Sequence, residues 1–388
     1  MIPLYILDTS CPGQFKIGGA SQWWLHQSLN ALNQSLNKQL HVQQGDASQI
    51  LLEWVKNHNI KTVVWNRCYE PWQIKRDKHI KQALTNIGVD VKSFNGYLLW
   101  EPWQILKKDD TPYRVFTPYY RKGCLSKTPP RMPLSAPEKL NIEYSSQNDL
   151  GIDSLELMPS ITWYETINEQ WQPGEKGASA QLANFLPENL AEYKNQRDFP
   201  DLQITSRLSP HLHFGEISVH QVWYAALHKF HGQTDNSGLD CFLSELGWRE
   251  FSYYLLYHFP TIPEQNFSPK FEFFQWRDDP DALNAWQQGQ TGVPMVDAGM
   301  RELWQTGSMH NRVRMLVGSF LVKNLLIDWR KGERWFWDCL LDADLAANSA
   351  SWQWVAGTGA DAAPYFRIFN PVTQGQKFDA KGEYVKKY

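Results

Sequence analysis

The hydrophobic pattern of this 388-residue chain changes character once, and that change limits the folds open to it. Up to about residue 124, short apolar runs alternate with helically spaced segments: 3–7, 61–65 and 89–94 read as strands, 23–36 and a stretch closing at 83–87 as helices. Such alternation predicts a parallel sheet with helices on its faces. Between 125 and 153, Pro129, Pro130, Pro133 and Pro137 stand among Ser, Lys and Asn, the composition of a linker. Beyond it strand signals fade, and helical periodicity takes over at 178–193, 218–228, 240–258, 299–306, 309–329 and 331–345. The length exceeds one typical core, so an α/β unit followed by a mainly α-helical one is the expected architecture.

Composition removes some functions and leaves others open. A net charge of −3 gives no global argument for nucleic acid, and from residue 299 onward 12 Lys and Arg face only 9 Asp and Glu, so any basic groove has to be built by folding. The 19 tryptophans are the anomaly, because each is a large rigid ring that usually has a task. Five scattered cysteines, Cys11, Cys68, Cys124, Cys241 and Cys339, show no metal-ligand spacing and fit a reducing compartment. The first apolar run ends at Asp8 without a basic leader, as a buried strand does and a signal peptide does not. The longest apolar stretch, 309–329, is broken by Arg312, Arg314, Lys323 and Asp328, so no membrane span is expected.

Chemistry-bearing residues concentrate in a few segments. In 341–378, Asp342 and Asp344 precede Asn348, Trp352 and Trp354 within a few helical turns, and small residues at 355–363 leave room for something flat. Thr205, Ser206, Arg207, Leu208 and Ser209 read either as a phosphate cradle or as a plain helix cap. In 242–251, Glu245 and Arg249 share a helical face, either as a surface ion pair or with Glu245 beside Trp248 at a pocket mouth. Asn311 and Met315 sit four apart on the 309–329 helix, where a buried Asn needs a partner. Arg67, Tyr69 and Glu70 follow a predicted strand at its carboxyl end, the side on which parallel sheets bind ligands. The GxGxxA at 357–362 lacks a preceding β-branched strand and meets Pro364, so the dinucleotide fingerprint is rejected.

Together, GGASQWWLHQSL, WNRCYEPW, FNGYLLWEPW, YRVFTPYYRKGC, TSRLSPHLHFGEIS, FLSELGWREF, TGVPMVDAGMRELWQTGSMHNRVRM and the 341–378 block resemble the photolyase/cryptochrome family along essentially the whole chain, and within it the class I cyclobutane pyrimidine dimer photolyases. The resemblance implies a Rossmann-like antenna-type domain over 1–124, a linker over 125–160, and a helical FAD- and DNA-binding domain over 161–388. The family's first strand and its Arg-rich loop are absent, and relatives continue past Tyr388, so the resemblance implies a chain shortened at both ends.

Residue by residue, it implies that Tyr193 and Thr205, Ser206, Arg207, Leu208 and Ser209 hold FAD, with Arg249 nearby. Asp342 would pair with Arg312 beside the flavin ring, Ala343 and Asp344 would contact it, and Asn348 would face its N5. Trp352, Trp329 and Trp276 would form a photoreduction relay. Glu245 and Asn311 would hydrogen-bond a flipped-out dimer, Trp248 and Trp354 would flank it, Met315 would fill the remaining gap and Gln374 would touch DNA. His310-Asn311, where (6-4) photolyases carry a His pair, together with Asn348 and Trp248, favours dimer repair by light-driven electron transfer. The alternatives are a flavin photoreceptor without repair activity, or an inactive shortened product. A second antenna pigment of folate or deazaflavin type, a monomeric cytoplasmic protein, damaged DNA as partner and no metal complete the expectation.

Overall fold

The computed structural model describes residues 1–143, 150–233, 235–362 and 364–388. The first part runs β1 (Leu4–Asp8), α1 (Gly19–Ser35), β2 (His41–Gly45), α2 (Ala47–Asn57), β3 (Thr62–Asn66), α3 (Pro71–Asn86) and β4 (Asp90–Phe94). β1 pairs in parallel with β2, Leu4 opposite His41, and β3 with β4, Thr62 opposite Asp90. The two pairs share no ladder among the described residues. They share a core instead: Ile6 of β1, Val63 and Trp65 of β3 and Val91 of β4 pack around Val55, Ile80 and Leu84 of α2 and α3. The sequence reading finds β1, β3 and β4 but not β2, whose HVQQG hides a strand because its first buried residue is His41.

The helical part comprises α4 (Glu165–Gln170), α5 (Glu175–Phe185), α6 (Asn189–Gln196), α7 (Ser209–His213), α8 (Val219–Lys229), α9 (Ser237–His258), α10 (Pro280–Gln287), α11 (Pro294–Thr306), α12 (Asn311–Ser319), α13 (Trp329–Cys339), α14 (Leu345–Ala356), α15 (Pro371–Phe378) and α16 (Glu383–Lys387). Three expected helices are broken or cut short, the 331–345 stretch ending at Cys339 and resuming only as α14. The 178–193 stretch splits into α5 and α6 around Pro187, which has no N–H to continue the helical hydrogen bonds. The 309–329 stretch ends its α-helix at Ser319, passes through a π-helical turn (Phe320–Asn324), and breaks at Leu326, whose φ is 58° and whose carbonyl accepts the Arg277 N–H at 2.7 Å. Gly357 is a left-handed helix cap at φ 87° after α14, so it ends a helix where a dinucleotide fingerprint would open one.

α9 is buried on nearly every side and packs against α6, α8 and α14, which makes it the axis of this half. The two halves meet at several places. α1 turns Trp23 and Trp24, both fully buried, away from the strands: the Trp24 indole donates to Glu216 Oε1 at 3.0 Å and meets Trp171 and His211 edge-on. Each such ring removes roughly 200 Å² from water, on the order of 5 kcal/mol before entropy. Elsewhere, the buried Glu250 of α9 accepts the backbone N–H groups of Leu99 (2.8 Å) and Trp100 (3.3 Å) from the loop after β4. No helix among the described residues is long and apolar enough to cross a membrane.

Candidate functional site

The start of α14 gathers several buried polar side chains. Asp344 is its N-cap: Oδ1 accepts the Ala347 N–H at 2.7 Å, while Oδ2 accepts the Tyr253 hydroxyl and lies 3.6 Å from His213 Nδ1. Burial alone would raise this carboxyl, but His213, Tyr253 and the Ala347 N–H outweigh it and hold Asp344 below the usual carboxylate range. One turn on, the buried Asn348 donates from Nδ2 to the Glu333 carbonyl at 3.0 Å. Ser349 Oγ donates to Glu333 Oε1 at 2.6 Å, and burial pushes the Glu333 carboxyl up to about 7. Trp352 follows, 4% exposed, with Gly332 of α13 so close that a Cβ there would fall 2.2 Å from its ring.

The expected Asp342–Arg312 pair does not form. Asp342 is bound by Arg314 Nη2 at 3.2 Å and by the Ser209 hydroxyl, whereas Arg312 Nη2 lies 2.6 Å from Asp198. The reason is helical geometry: residues two apart on α12 point about 200° away from each other, so only one of the two arginines can face α14. Arg314 is therefore the residue that sequence reasoning missed, and its signal was present in the alternation of Arg312 and Arg314 around the buried Val313. Nor does Glu245 pair with Arg249. Glu245 binds Arg197 at the end of α6, and Arg249 turns the opposite way, donating to the Tyr97 carbonyl at 2.9 Å with its guanidinium 4.3 Å over the Tyr97 ring.

Because Arg197 and Asp198 are neighbours, their two ion pairs bring Glu245 of α9 and the start of α12 to one face. Asn311 is exposed there, 4.0 Å from the Met315 sulfur, so the buried-amide reading of Asn311 gives way to a surface one. Trp248 stacks on Phe116 at 3.8 Å and 11°, and Trp354 on Phe369 at 6.2 Å. Gln374 of α15 keeps Oε1 buried without a partner. Trp352, Trp329 and Trp276 belong to one apolar cluster, in which the ring neighbours of Trp352 are Phe336 (5.0 Å) and Trp286 (6.1 Å). Ala343 is buried in that same cluster. Tyr193 is buried against Phe185 and Phe242, with Arg197 5.3 Å over its ring.

The donors around this region suit a large, anionic, hydrogen-bonding ligand. Thr205 and Ser206 are half-buried, with hydroxyls unbonded among the described residues; Leu208 is buried and caps α7. Arg207, at φ 50°, lies 4.1 Å over Trp171 without a carboxylate in ion-pair range among the described residues, and burial lowers its pKa. His213 Nδ1 and Arg312 Nε are buried without a hydrogen bond. Groups like these are costly unless a ligand or water satisfies them. A separate cavity of about 500 Å³ lies beyond the carboxyl ends of β3 and β4, lined by Arg67, Phe94, Trp100, Trp103, Arg131 and His220.

Residues 242–388 match the FAD binding domain of DNA photolyase, and residues 1–138 match the DNA photolyase family. A deoxyribodipyrimidine photo-lyase of Agrobacterium fabrum is 47% identical over 100% of this chain and 81% of its own length. The chain belongs to the photolyase/cryptochrome family. Cryptochrome-2 of Arabidopsis thaliana is 38% identical over 100% of this chain and 66% of its own length. Among solved structures, a bacterial class III photolyase from Agrobacterium tumefaciens superposes with a TM-score of 0.94 at 47% identity, covering 100% of this chain and 80% of that one. An archaeal photolyase from Sulfolobus tokodaii with two FAD molecules superposes at 0.83 and 30% identity, covering 100% and 83%. The family expectation holds, as does the α/β photolyase domain followed by a helical FAD-binding domain. The class I assignment is corrected: the photolyase structure 47% identical to this chain is class III.

Proposed function

We propose that this member of the photolyase/cryptochrome family is a light-dependent deoxyribodipyrimidine photo-lyase that repairs cyclobutane pyrimidine dimers in DNA, acting as a monomer in the cytoplasm. When bound, reduced FAD supplies the photoexcited electron that opens the cyclobutane ring and is then returned. The chain's own residues bind and orient around that chemistry. Thr205, Ser206 and Arg207 offer unsatisfied donors to the phosphates, Asp344 presents a charged acceptor fixed by Tyr253, and Arg314 neutralises Asp342. Glu245, Trp248, Asn311, Met315 and Trp354 would receive the flipped-out dimer, with Gln374 on the flanking DNA. Trp352, Trp329 and Trp276 would carry electrons inward from the surface.

The observation that carries this reading is Asn348, a neutral amide buried and aligned by the Glu333 carbonyl where a carboxylic acid would offer a proton. Beside a bound flavin such an amide would offer a hydrogen bond without a titratable proton. The 500 Å³ cavity suits a second chromophore of folate or deazaflavin type, with Trp100 and Trp103 as stacking faces and Arg67 and Arg131 as anion partners. Similarity to Cryptochrome-2 along the whole of this chain supports a second reading, a blue-light receptor without repair. Blue light should remove thymine dimers from an oligonucleotide in the presence of FAD and reductant. Flavin photoreduction without dimer loss would favour the receptor.

A further inference from the structure

Trp329, the middle ring of the expected relay, is fully buried at the start of α13, and its indole N–H donates to Asn266 Oδ1 at 3.0 Å. Asn266 is itself buried, and the segment that carries it is pinned from two sides. Glu272 Oε1 accepts the Asn266 N–H at 2.7 Å. Gln353 Oε1 accepts the Phe267 N–H at 2.7 Å, and Gln353 Nε2 donates to the carbonyls of Ile262 (2.6 Å) and Gln265 (2.9 Å). Gln353 is the buried neighbour of Trp352 on α14, so one helix presents a relay ring and holds the loop that bonds the next. The Arg330 guanidinium stands 4.6 Å over the Trp329 ring, tied to the Glu264 carbonyl at 2.9 Å. Trp276 lies in a different setting, half-buried beside the exposed Phe274 and Gln275.

An indole that has lost an electron is a far stronger acid than the parent ring, so the group facing its N–H decides whether the charge moves on. An amide oxygen accepts a hydrogen bond but takes up no proton at neutral pH, whereas a carboxylate in the same place would. We propose that Asn266 is a positioning residue of the relay, holding the proton on Trp329 so that this ring passes charge without being trapped as a neutral radical; this rests on the FAD and relay reading above. With oxidised flavin as the light-driven oxidant, Trp352 gives up one electron and is refilled by one from Trp329. Trp329 becomes a radical cation with its N–H bond intact, because Asn266 is no base and burial keeps water away. The Arg330 charge over the ring disfavours a resting positive charge there, and an electron from Trp276 restores Trp329. The N–H bond that breaks is that of Trp276, which releases its proton to water and takes back an electron and a proton from an external thiol.

The test compares Asn266→Asp, which puts a carboxylate at the same atom, with Asn266→Leu, which removes the acceptor and keeps the volume. Transient absorption of FAD-loaded protein after a blue flash reads the radical, in a Trp276→Phe background that leaves the charge on Trp329. The measurement is made at pH 8, above the value of about 7 to which burial raises Glu250 and Glu333. Asn266 should give the spectrum of the tryptophan radical cation, and Asn266→Asp that of the neutral radical. With Trp276 in place, photoreduction in the presence of thiol should slow about tenfold in Asn266→Asp and less than about twofold in Asn266→Leu. A neutral radical with Asn266, or a radical cation in Asn266→Asp, overturns the proposal; so does equal slowing in Asn266→Leu, which would reduce Asn266 to packing. Without flavin, the Trp329 indole N–H, assigned by NMR of nitrogen-labelled tryptophan through its loss in Trp329→Phe, should exchange with solvent slowly in wild type and faster in Asn266→Leu. Equal exchange overturns the proposal whatever the flavin does. If wild type takes up no FAD while that difference is found, the flavin reading fails and the hold of Asn266 on the Trp329 proton survives.

Discussion

The two halves of the molecule are held together in opposite ways. In the α/β half no residue of β1, β3 or β4 is fully buried, and β3 and β4 alternate between exposed and half-buried positions. In the helical half, α9, α11 and α14 each bury a majority of their residues, Glu250 of α9 and Asp297 of α11 among them. A strand pair with one wet face tolerates change, while a helix buried all round does not. The candidate site sits almost wholly on the intolerant side, which is where a pocket has to be if its side chains are to keep one geometry.

The sharpest way to break the contrast is Glu250→Ala. It removes the buried acceptor of the Leu99 and Trp100 N–H groups and leaves Arg249 unpaired, and should cost about 4 kcal/mol in urea unfolding. Gly332→Ala comes next: the new Cβ meets the Trp352 ring, so an overpacking loss of about 2 kcal/mol should be accompanied by altered Trp352 fluorescence. Trp24→Phe keeps most of the ring but drops its hydrogen bond to Glu216, for about 1.5 kcal/mol. Val64→Thr, on the exposed face of β3, should stay within about 0.5 kcal/mol.

Acid stability sharpens the same contrast. Glu250 and Glu333 are both pushed up to about 7 by burial, so the folded chain keeps protons that the unfolded chain has lost. Their contribution is complete below about pH 4.5 and disappears as pH rises through 7, so stability should decline across that window. Glu333→Gln should reduce the decline. A slope unchanged by that substitution would mean Glu333 is ionised in the fold.

Fold class was legible because apolar runs such as 61–65 and the proline-rich stretch after 125 are local signals. β2 was not, because a buried His41 looks polar in sequence, and neither was the break at Leu326, which depends on a backbone bond from Arg277. The site divides similarly. Asp344, Asn348 and Trp352 follow one another along a single helix, so their spacing carries information. Their partners do not: Glu333 reads as a solvated helix position, His213 as one histidine among eleven, and Arg314 as interchangeable with Arg312 until α12 is oriented against α14.

α9 carries Glu245 toward the start of α12 and Glu250 toward the loop after β4, from positions five residues apart. Five residues advance about 7.5 Å along a helix and turn it about 140°, so these carboxylates leave nearly opposite sides of one stiff rod. The 99–100 loop, which borders the 500 Å³ cavity, and the face that carries Glu245 are thus anchored to one buried helix, from which neither can be displaced independently of its packing.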